Sequence, residues 1–196
     1  SLQVMDDAGT RLGYARGRRG ERIALRNVVL RPASPDAGPS SRQVYLVVHA
    51  ETGSQRSQRY VLRVAMGGLQ ANVEVEPNDV PAAAMPVTDG TITGYLPIGD
   101  VDFFRFEGRG PRDLTVEVTF PPRVRGKVAA FRPGTVEPVG GAEAKKPRQT
   151  VALAAVSTLG QPVVLRISQP KADGNANDPY TLRISSVPSR SEVQVP

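Results

Sequence analysis

Six side chains between positions 74 and 102 carry the oxygen atoms that a metal ion requires. They are Glu74, Glu76, Asn78, Asp79, Asp100 and Asp102. The two glutamates lie two residues apart, as do the last two aspartates, so in an extended chain each pair points to one side. The Pro-Asn-Asp sequence between the pairs is typical of a turn. Ca²⁺ binds roughly six to eight such oxygens, and the two groups can supply them if they meet in the fold. The alternative is that Asn78 and Asp79 only form a turn and that the acids are solvated.

This acidic window lies within a basic chain. The protein has 196 residues, with 25 Lys and Arg against 19 Asp and Glu, and a net charge of +6. No Lys or Arg occurs between Arg63 and Arg105, where six acids lie. Such a patch attracts a cation or is exposed to solvent. A basic protein also suggests nucleic acid as a partner, and the Arg-rich run 16–20 is the best candidate. That run lacks interleaved aromatic residues for base stacking, so nucleic acid is not favoured.

Composition and spacing argue against catalysis. The absence of cysteine excludes thiolate chemistry, and the single histidine, His49, excludes a multi-histidine metal site. His49 precedes Ser54 and Ser57, but no nucleophile-elbow motif surrounds them. Asp100 and Asp102 lie on one strand and cannot flank a glycosidic bond. We therefore expect a protein that is not an enzyme. No apolar run approaches the roughly 20 residues of a transmembrane helix, so we expect no transmembrane segment.

The chain has the pattern of an all-β protein. Short alternating apolar segments recur between Gly, Pro, Asp and Asn residues. The predicted strands are Val44–Val48, Tyr60–Val64, Thr91–Tyr95, Phe103–Phe106, Leu114–Phe120, Lys127–Phe131, Thr150–Val156, Val163–Ile167 and Tyr180–Ile184. No capped amphipathic helix is found, and the stretch 81–86, bracketed by prolines, has room for one turn at most.

Part of the sequence is interpreted as a repeat, the alternative being chance similarity between β-strand sequences. Three segments match, in the same order, three later ones: 4–10 with 130–135, 22–25 with 150–153, and 42–64 with 161–184. We therefore expect tandem β-sandwich modules, jelly-roll-like, of which the first is incomplete. The expected boundaries are 1–66 for a partial or divergent sandwich unit, 67–72 for a linker, 73–187 for a sandwich domain and 188–196 for a tail. An incomplete sandwich exposes unpaired strand edges, so we expect the chain to be part of a longer protein, with the missing strands upstream of Ser1.

Several motifs resemble the bacterial pre-peptidase C-terminal domain, a β-sandwich module often found after secreted protease catalytic domains. They are Val-Glu-Pro-Asn-Asp at 75–79, Gly-x-Leu at 94–96, Gly-Asp-Val-Asp-Phe-Phe-Arg-Phe at 99–106, Leu-Thr-Val at 114–116 and Pro-Tyr-Thr-Leu-Arg-Ile at 179–184. The resemblance covers about residues 72–187, and the first unit resembles the same module more weakly. In the collagen-binding members, an acidic N-terminal segment and an acidic loop bind calcium. By resemblance, Glu74, Glu76, Asn78 and Asp79 match the segment, and Asp100 and Asp102 match the loop.

The resemblance implies a non-catalytic accessory or adhesion module outside the cytoplasm, whether secreted, periplasmic or at the cell surface. Its expected partners are an extracellular polymer, a partner protein or the cell surface, and its expected ion is Ca²⁺. The alternative is a C-terminal targeting or folding appendage of a secreted hydrolase. In collagen-binding members, exposed aromatic residues touch the ligand. Here the tyrosines at 45, 60, 95 and 180 have the pattern of core residues instead.

Overall fold

The computed structural model describes residues 1–18, 20–30, 43–50, 59–170 and 173–189. Within these ranges the regular elements are strands and one short 3₁₀ turn, and no α-helix occurs. The strands are β1 (Leu2–Asp6), β2 (Arg11–Ala15), β3 (Val44–Val48), β4 (Met85–Val87), β5 (Gly90–Leu96), β6 (Val101–Phe106), β7 (Arg112–Thr119), β8 (Lys127–Phe131), β9 (Pro138–Glu143), β10 (Thr150–Ser157), β11 (Val163–Ser168) and β12 (Asn175–Pro188), and the turn is Pro81–Ala83. The prediction of an all-β protein is confirmed. None of the described residues belongs to a helix long and apolar enough to cross a membrane.

Strands β4–β12 form a sandwich of two sheets. One sheet has the order β10-β7-β12-β5, and the other has the order β4-β6-β11-β8-β9. All neighbouring strands are antiparallel except β4 and β6. The sheets share one apolar core because alternate side chains of each strand point inward. Leu114, Val116 and Val118 of β7 are fully buried there with Phe104 and Leu165. Burial of each such side chain contributes about 1.5–3 kcal/mol.

The first sheet is smaller and has the order β2-β1-β3, with both pairs antiparallel. The chain after β2 runs against the sandwich, where residue 28 forms a parallel bridge to residue 76. Two backbone bonds flank this bridge: the Val29 N–H donates to Glu76 at 3.0 Å, and the Glu76 N–H donates to Asn27 at 3.2 Å. Arg123 of the sandwich also forms an ion pair with Glu21 at 2.7 Å.

One predicted strand is wrong. Residues 60–64 form no strand, and Tyr60 and Val61 are 73% and 81% exposed. Among the described residues no neighbouring strand pairs with this segment, and a strand needs a partner for its backbone groups. The prediction that Tyr45 and Tyr60 are core residues is also wrong, because they are 51% and 73% exposed.

The other predicted strands are confirmed, with shifts of a few residues at their ends. The sequence missed β1, β2, β4 and β9, which are short or contain Gly and Pro. The division into units with a linker at 67–72 stays a prediction. Parts of three predictions lie outside the described residues. They are residues 190–196 of the expected tail, Ser54 and Ser57 after His49, and Arg19 of the basic run.

Candidate metal centre

The segment before the sandwich's first strand carries the two glutamates beside β5. The Glu74 N–H donates to the carbonyl of Thr93 on β5 at 2.8 Å, and the Thr93 N–H donates back to Asn72 at 2.8 Å. This pairing keeps the segment extended, so Glu74 and Glu76 point to the same side, and both are buried. Strand β5 and the segment around Asn27 therefore bond to the backbone that carries the two glutamates.

Strand β6 brings the second pair of acids to the same place. Its alternation puts Asp102 in the inward row with Phe104 and Phe106, and Asp102 is fully buried. Asp100 is 6% exposed and ends a turn in which its N–H donates to the Pro97 carbonyl at 3.1 Å. A position in the core row is normally apolar, so a carboxylate there needs a specific partner.

The two acidic segments meet. Carboxylate oxygens of Glu74, Glu76 and Asp102 lie within 4.8 Å of one another, and so do those of Glu76, Asp79 and Asp100. The Phe103 N–H donates to the Asn78 carbonyl at 3.0 Å and joins β6 to the first segment. The structure thus brings together all the predicted acids, with Glu76 in both triads.

The Asn78 side chain completes the cluster. It is fully buried, and its amide faces Glu76 and Asp102. With its nitrogen on that side, the amide donates to Glu76 Oε2 at 3.3 Å and to Asp102 Oδ1 at 3.2 Å. With its oxygen toward Glu76 and Asp102, the amide supplies a further ligand for a cation. The role of the six residues as metal ligands stays a prediction.

Hydrogen bonds hold only part of the cluster. The Tyr180 hydroxyl donates to Glu74 Oε2 at 2.8 Å, and the Tyr95 N–H donates to Glu74 Oε1. Glu76 Oε2 accepts the Asn78 N–H at 3.1 Å. In contrast, Oδ2 of Asp100 and Oδ2 of Asp102 are buried without a hydrogen-bond partner.

The electrostatics of the cluster disfavour ionisation of its four buried carboxylates. Burial, and then the charge of Glu76, raises the pKa of Glu74 well above its ordinary value. Burial, and then Asp79, raises the pKa of Glu76 to about 7. Burial also raises the pKa values of Asp100 and Asp102, with the neighbouring carboxylates adding to it. Within the described ranges, no Lys or Arg forms an ion pair with these residues. The cluster therefore requires protons or a cation.

The residues present fit a calcium ion. Ca²⁺–oxygen distances are about 2.3–2.6 Å, so two oxygens on one ion lie at most about 5 Å apart. The separations within each triad satisfy this limit. A calcium site also needs oxygens that are free to bind the ion. Oδ2 of Asp100 and Oδ2 of Asp102 have no hydrogen-bond partner, and a buried carboxylate oxygen without a donor gains most from a cation.

Two important residues were not assigned to the site from sequence. A Cβ on Gly94 would lie 2.2 Å from Glu74 Oε2 and 2.2 Å from the Tyr180 ring, so only glycine leaves room for this contact. Tyr180 was expected in the core, and it is fully buried there. Its hydroxyl contact, 106 residues away along the chain, has no local sequence signal.

Comparisons with known proteins give only distant structural similarities. No family model matches the chain, and no curated protein matches it. The chain is similar in structure to the pre-peptidase C-terminal domain of collagenase from Bacillus anthracis, with 15% identity, a TM-score of 0.39, and coverage of 52% of this chain and 94% of that one. It is also similar to PliG of Aeromonas hydrophila, a periplasmic inhibitor of g-type lysozyme, with 16% identity, a TM-score of 0.33, and coverage of 52% and 97%. At these values neither similarity bears on family or function.

Proposed function

We propose that residues 73–187 form a non-catalytic, calcium-binding accessory module of an extracytoplasmic protein. The observation that carries the proposal is the buried cluster of four carboxylates in which one oxygen each of Asp100 and Asp102 has no partner. A cation at this point satisfies those oxygens and removes the repulsion among the acids.

The donor set favours calcium over other common metals. Zinc and copper sites use His or Cys ligands, whereas all donors here are carboxylate, amide or carbonyl oxygens. Mg²⁺ requires near-ideal octahedral geometry and usually retains several waters. A buried cluster built from several carboxylates suits the larger, more flexible coordination sphere of Ca²⁺.

The ion's role is to join segments. It links the chain before β5 to the start of β6, and through Glu74 it reaches Tyr180 on the facing sheet. At a Kd of about 10⁻⁴–10⁻³ M, typical of extracellular modules, millimolar Ca²⁺ stabilises the fold by about 0.4–1.4 kcal/mol. A site of this affinity is filled only where calcium is millimolar, as the proposed extracytoplasmic location requires.

A groove on the outer face of the five-stranded sheet supports a role in binding a partner. It has a volume of about 880 Å³ and a floor that includes Phe103 and Val164. Three guanidinium groups line it, those of Arg105, Arg132 and Arg166, and the Arg105 group also forms an ion pair at 2.6 Å with Glu107, outside the lining. The only neutral polar side chains in the lining are Thr135 and Gln161. Apolar contacts and positive charge fit an acidic segment of a partner protein better than a neutral polysaccharide.

Calorimetric titration with Ca²⁺ tests the metal site. Asp102→Asn should abolish the heat of binding and the calcium-dependent rise in Tm. Asp89→Asn is the matched control, because Asp89 lies in the same acidic window but is exposed and pairs with Arg112. Absence of both heat and Tm shift in the parent protein contradicts the calcium site.

The binding role has its own test, with collagen, chitin, peptidoglycan and an acidic peptide as probes. The double variant Arg105→Ala and Arg166→Ala should lose retention of the acidic peptide, whereas Lys127→Ala, on the same sheet outside the groove, should retain it. Failure of all four probes to bind contradicts the adhesion role. The alternative role as an appendage of a secreted hydrolase stays a prediction, tested by the full open reading frame.

A further inference from the structure

The small first sheet repeats part of the large sandwich in strand order and direction. Its order β2-β1-β3 matches β9-β8-β11, and every pair in both sets is antiparallel. The repeated sequence segments predict this correspondence, because residues 4–10 match 130–135 and residues 42–64 match 161–184.

The two sets also agree residue by residue. Val4 lies opposite Leu46, and their counterparts Ala130 and Leu165 lie opposite each other. Directly after Val4 and directly after Ala130, the ladder to the outer strand has a bulge. Register and bulges of this kind are specific structural features, not general properties of β-sheets.

A third agreement lies between the matched strands. Asn27 has a φ of 49°, and Ala155 has a φ of 55°. Each lies two residues after a matched segment, 22–25 and 150–153 respectively. Few residues other than glycine adopt positive φ, so a shared position for this conformation supports a shared fold.

The strands of the first sheet lack neighbours that their counterparts in the sandwich have. In the sandwich, β11 pairs on its far side with β6, and β12 lies between β5 and β7. Among the described residues, β3 pairs only with β1, and residues 60–64, the counterpart of residues 180–184 on β12, pair with no strand.

The unpaired positions expose apolar side chains. Tyr60, Leu62 and Val64 are 73%, 41% and 64% exposed, whereas their counterparts on β12 are almost fully buried. The side chains of residues 45–48 on β3 are exposed as well. A free strand edge beside exposed apolar residues is a site for strand addition by another polypeptide.

We propose that residues 1–66 are the C-terminal half of a second β-sandwich, and that the free edge of β3 and the segment 60–64 bind a polypeptide that supplies the counterparts of β4–β7. This polypeptide is not the chain's own β4–β7, because those strands are already paired within the sandwich. It adds one strand antiparallel to β3, in the position of β6, and two strands that flank residues 60–64. A second copy of the chain is not the occupant, because its own β4–β7 are already paired within its sandwich.

A fusion protein tests this proposal. Because Val4 corresponds to Ala130, a copy of residues 73–126 placed directly before Ser1 reproduces the chain spacing of the sandwich. Hydrogen exchange at residues 60–64, and at the β3 amides that do not bond to β1, should slow at least 100-fold relative to the parent chain. The matched control carries Leu114→Asp and Val116→Asp in the added copy only, and should exchange like the parent. Unchanged exchange in the fusion overturns the proposal.

A disulfide provides a second measurement that does not require complete folding of the added copy. In the sandwich, Arg166 lies opposite Phe103, and Val47 is the counterpart of Arg166. Val47→Cys together with Phe103→Cys in the added copy should therefore cross-link under mild oxidation, in a chain without native cysteine. Val48→Cys with the same partner should cross-link at least tenfold more slowly. Equal rates overturn the proposal. A parent chain that forms a dimer in which the amides of residues 44–48 are protected from hydrogen exchange also overturns it.

Discussion

The Tyr180 hydroxyl donates a 2.8 Å hydrogen bond to Glu74 Oε2, and both side chains are buried between the sheets. Burial, followed by the charges of Asp102 and Glu74, raises the pKa of Tyr180 well above its ordinary value. The hydroxyl therefore stays a donor at any physiological pH. It fixes one Glu74 oxygen, whereas Oδ2 of Asp100 and Oδ2 of Asp102 stay without a hydrogen-bond partner.

Tyr180→Phe should destabilise the protein by about 1–3 kcal/mol, because it leaves a buried carboxylate oxygen without its donor. It should also weaken calcium binding, since Glu74 loses its fixed orientation. Tyr95→Phe is the matched control: Tyr95 bonds to Glu74 only through its backbone N–H, and its ring lies under Arg26. Chemical denaturation and calorimetry measure both effects, and equal losses in the two variants contradict the assigned role of the Tyr180 hydroxyl.

Gly94→Ala should be among the most damaging single-methyl additions in the protein. The new Cβ would lie 2.2 Å from Glu74 Oε2 and from Tyr180 atoms. Relief of such overlap typically costs about 1–3 kcal/mol and should displace Glu74 from the cluster. Gly141→Ala is the control, because its Cβ meets only the Val128 carbonyl, at 3.7 Å. Similar Tm and calcium affinity in the two variants would show that Gly94 does not shape the site.

The proposed repeat predicts a contrast between two leucines at matching positions. Leu182→Ala should cost about 2–5 kcal/mol, because Leu182 is fully buried in the sandwich. Leu62→Ala, at the matching position of the first unit, should change the unfolding free energy by less than about 0.5 kcal/mol, since Leu62 is 41% exposed in the chain alone. Urea denaturation of both variants measures the difference. A large loss at Leu62 would mean that residues 60–64 are already covered in the free chain.

The sequence predicts the sandwich and the composition of the cluster better than their long-range contacts. Alternation places Leu114, Val116 and Val118 in the core, and the two-residue spacing of Glu74 and Glu76 places them on one side. The strand at 60–64 was predicted from the same alternation and is absent, because local pattern does not reveal whether a partner strand exists. The Tyr180 contact to Glu74 was missed for a related reason, since it depends on packing between segments far apart in sequence.

The metal-free protein should lose stability as the pH rises from about 4.5 to about 7. The pKa values of Glu74, Glu76, Asp100 and Asp102 are raised in the folded state, that of Glu76 to about 7. In this pH range the folded state binds more protons than the unfolded state, so the stability is present below the unfolded pKa values and is lost above them. Thermal melts in a chelator measure this trend. Saturating Ca²⁺ should remove it, and a chelated protein that is more stable at pH 7 than at pH 5 contradicts the prediction.

Calcium binding should release protons near neutral pH. An empty cluster with raised pKa values retains protons that the ion must displace, because only ionised carboxylates bind Ca²⁺ well. The observed heat of binding should therefore depend on the ionisation enthalpy of the buffer, and the affinity should fall as the pH is lowered from 7.5 to 5.5. Asp89→Asn should leave both dependences unchanged, because Asp89 is exposed and outside the cluster. Identical heats in Pipes and Tris buffers, which differ in ionisation enthalpy, would mean that the carboxylates are already ionised before the ion arrives.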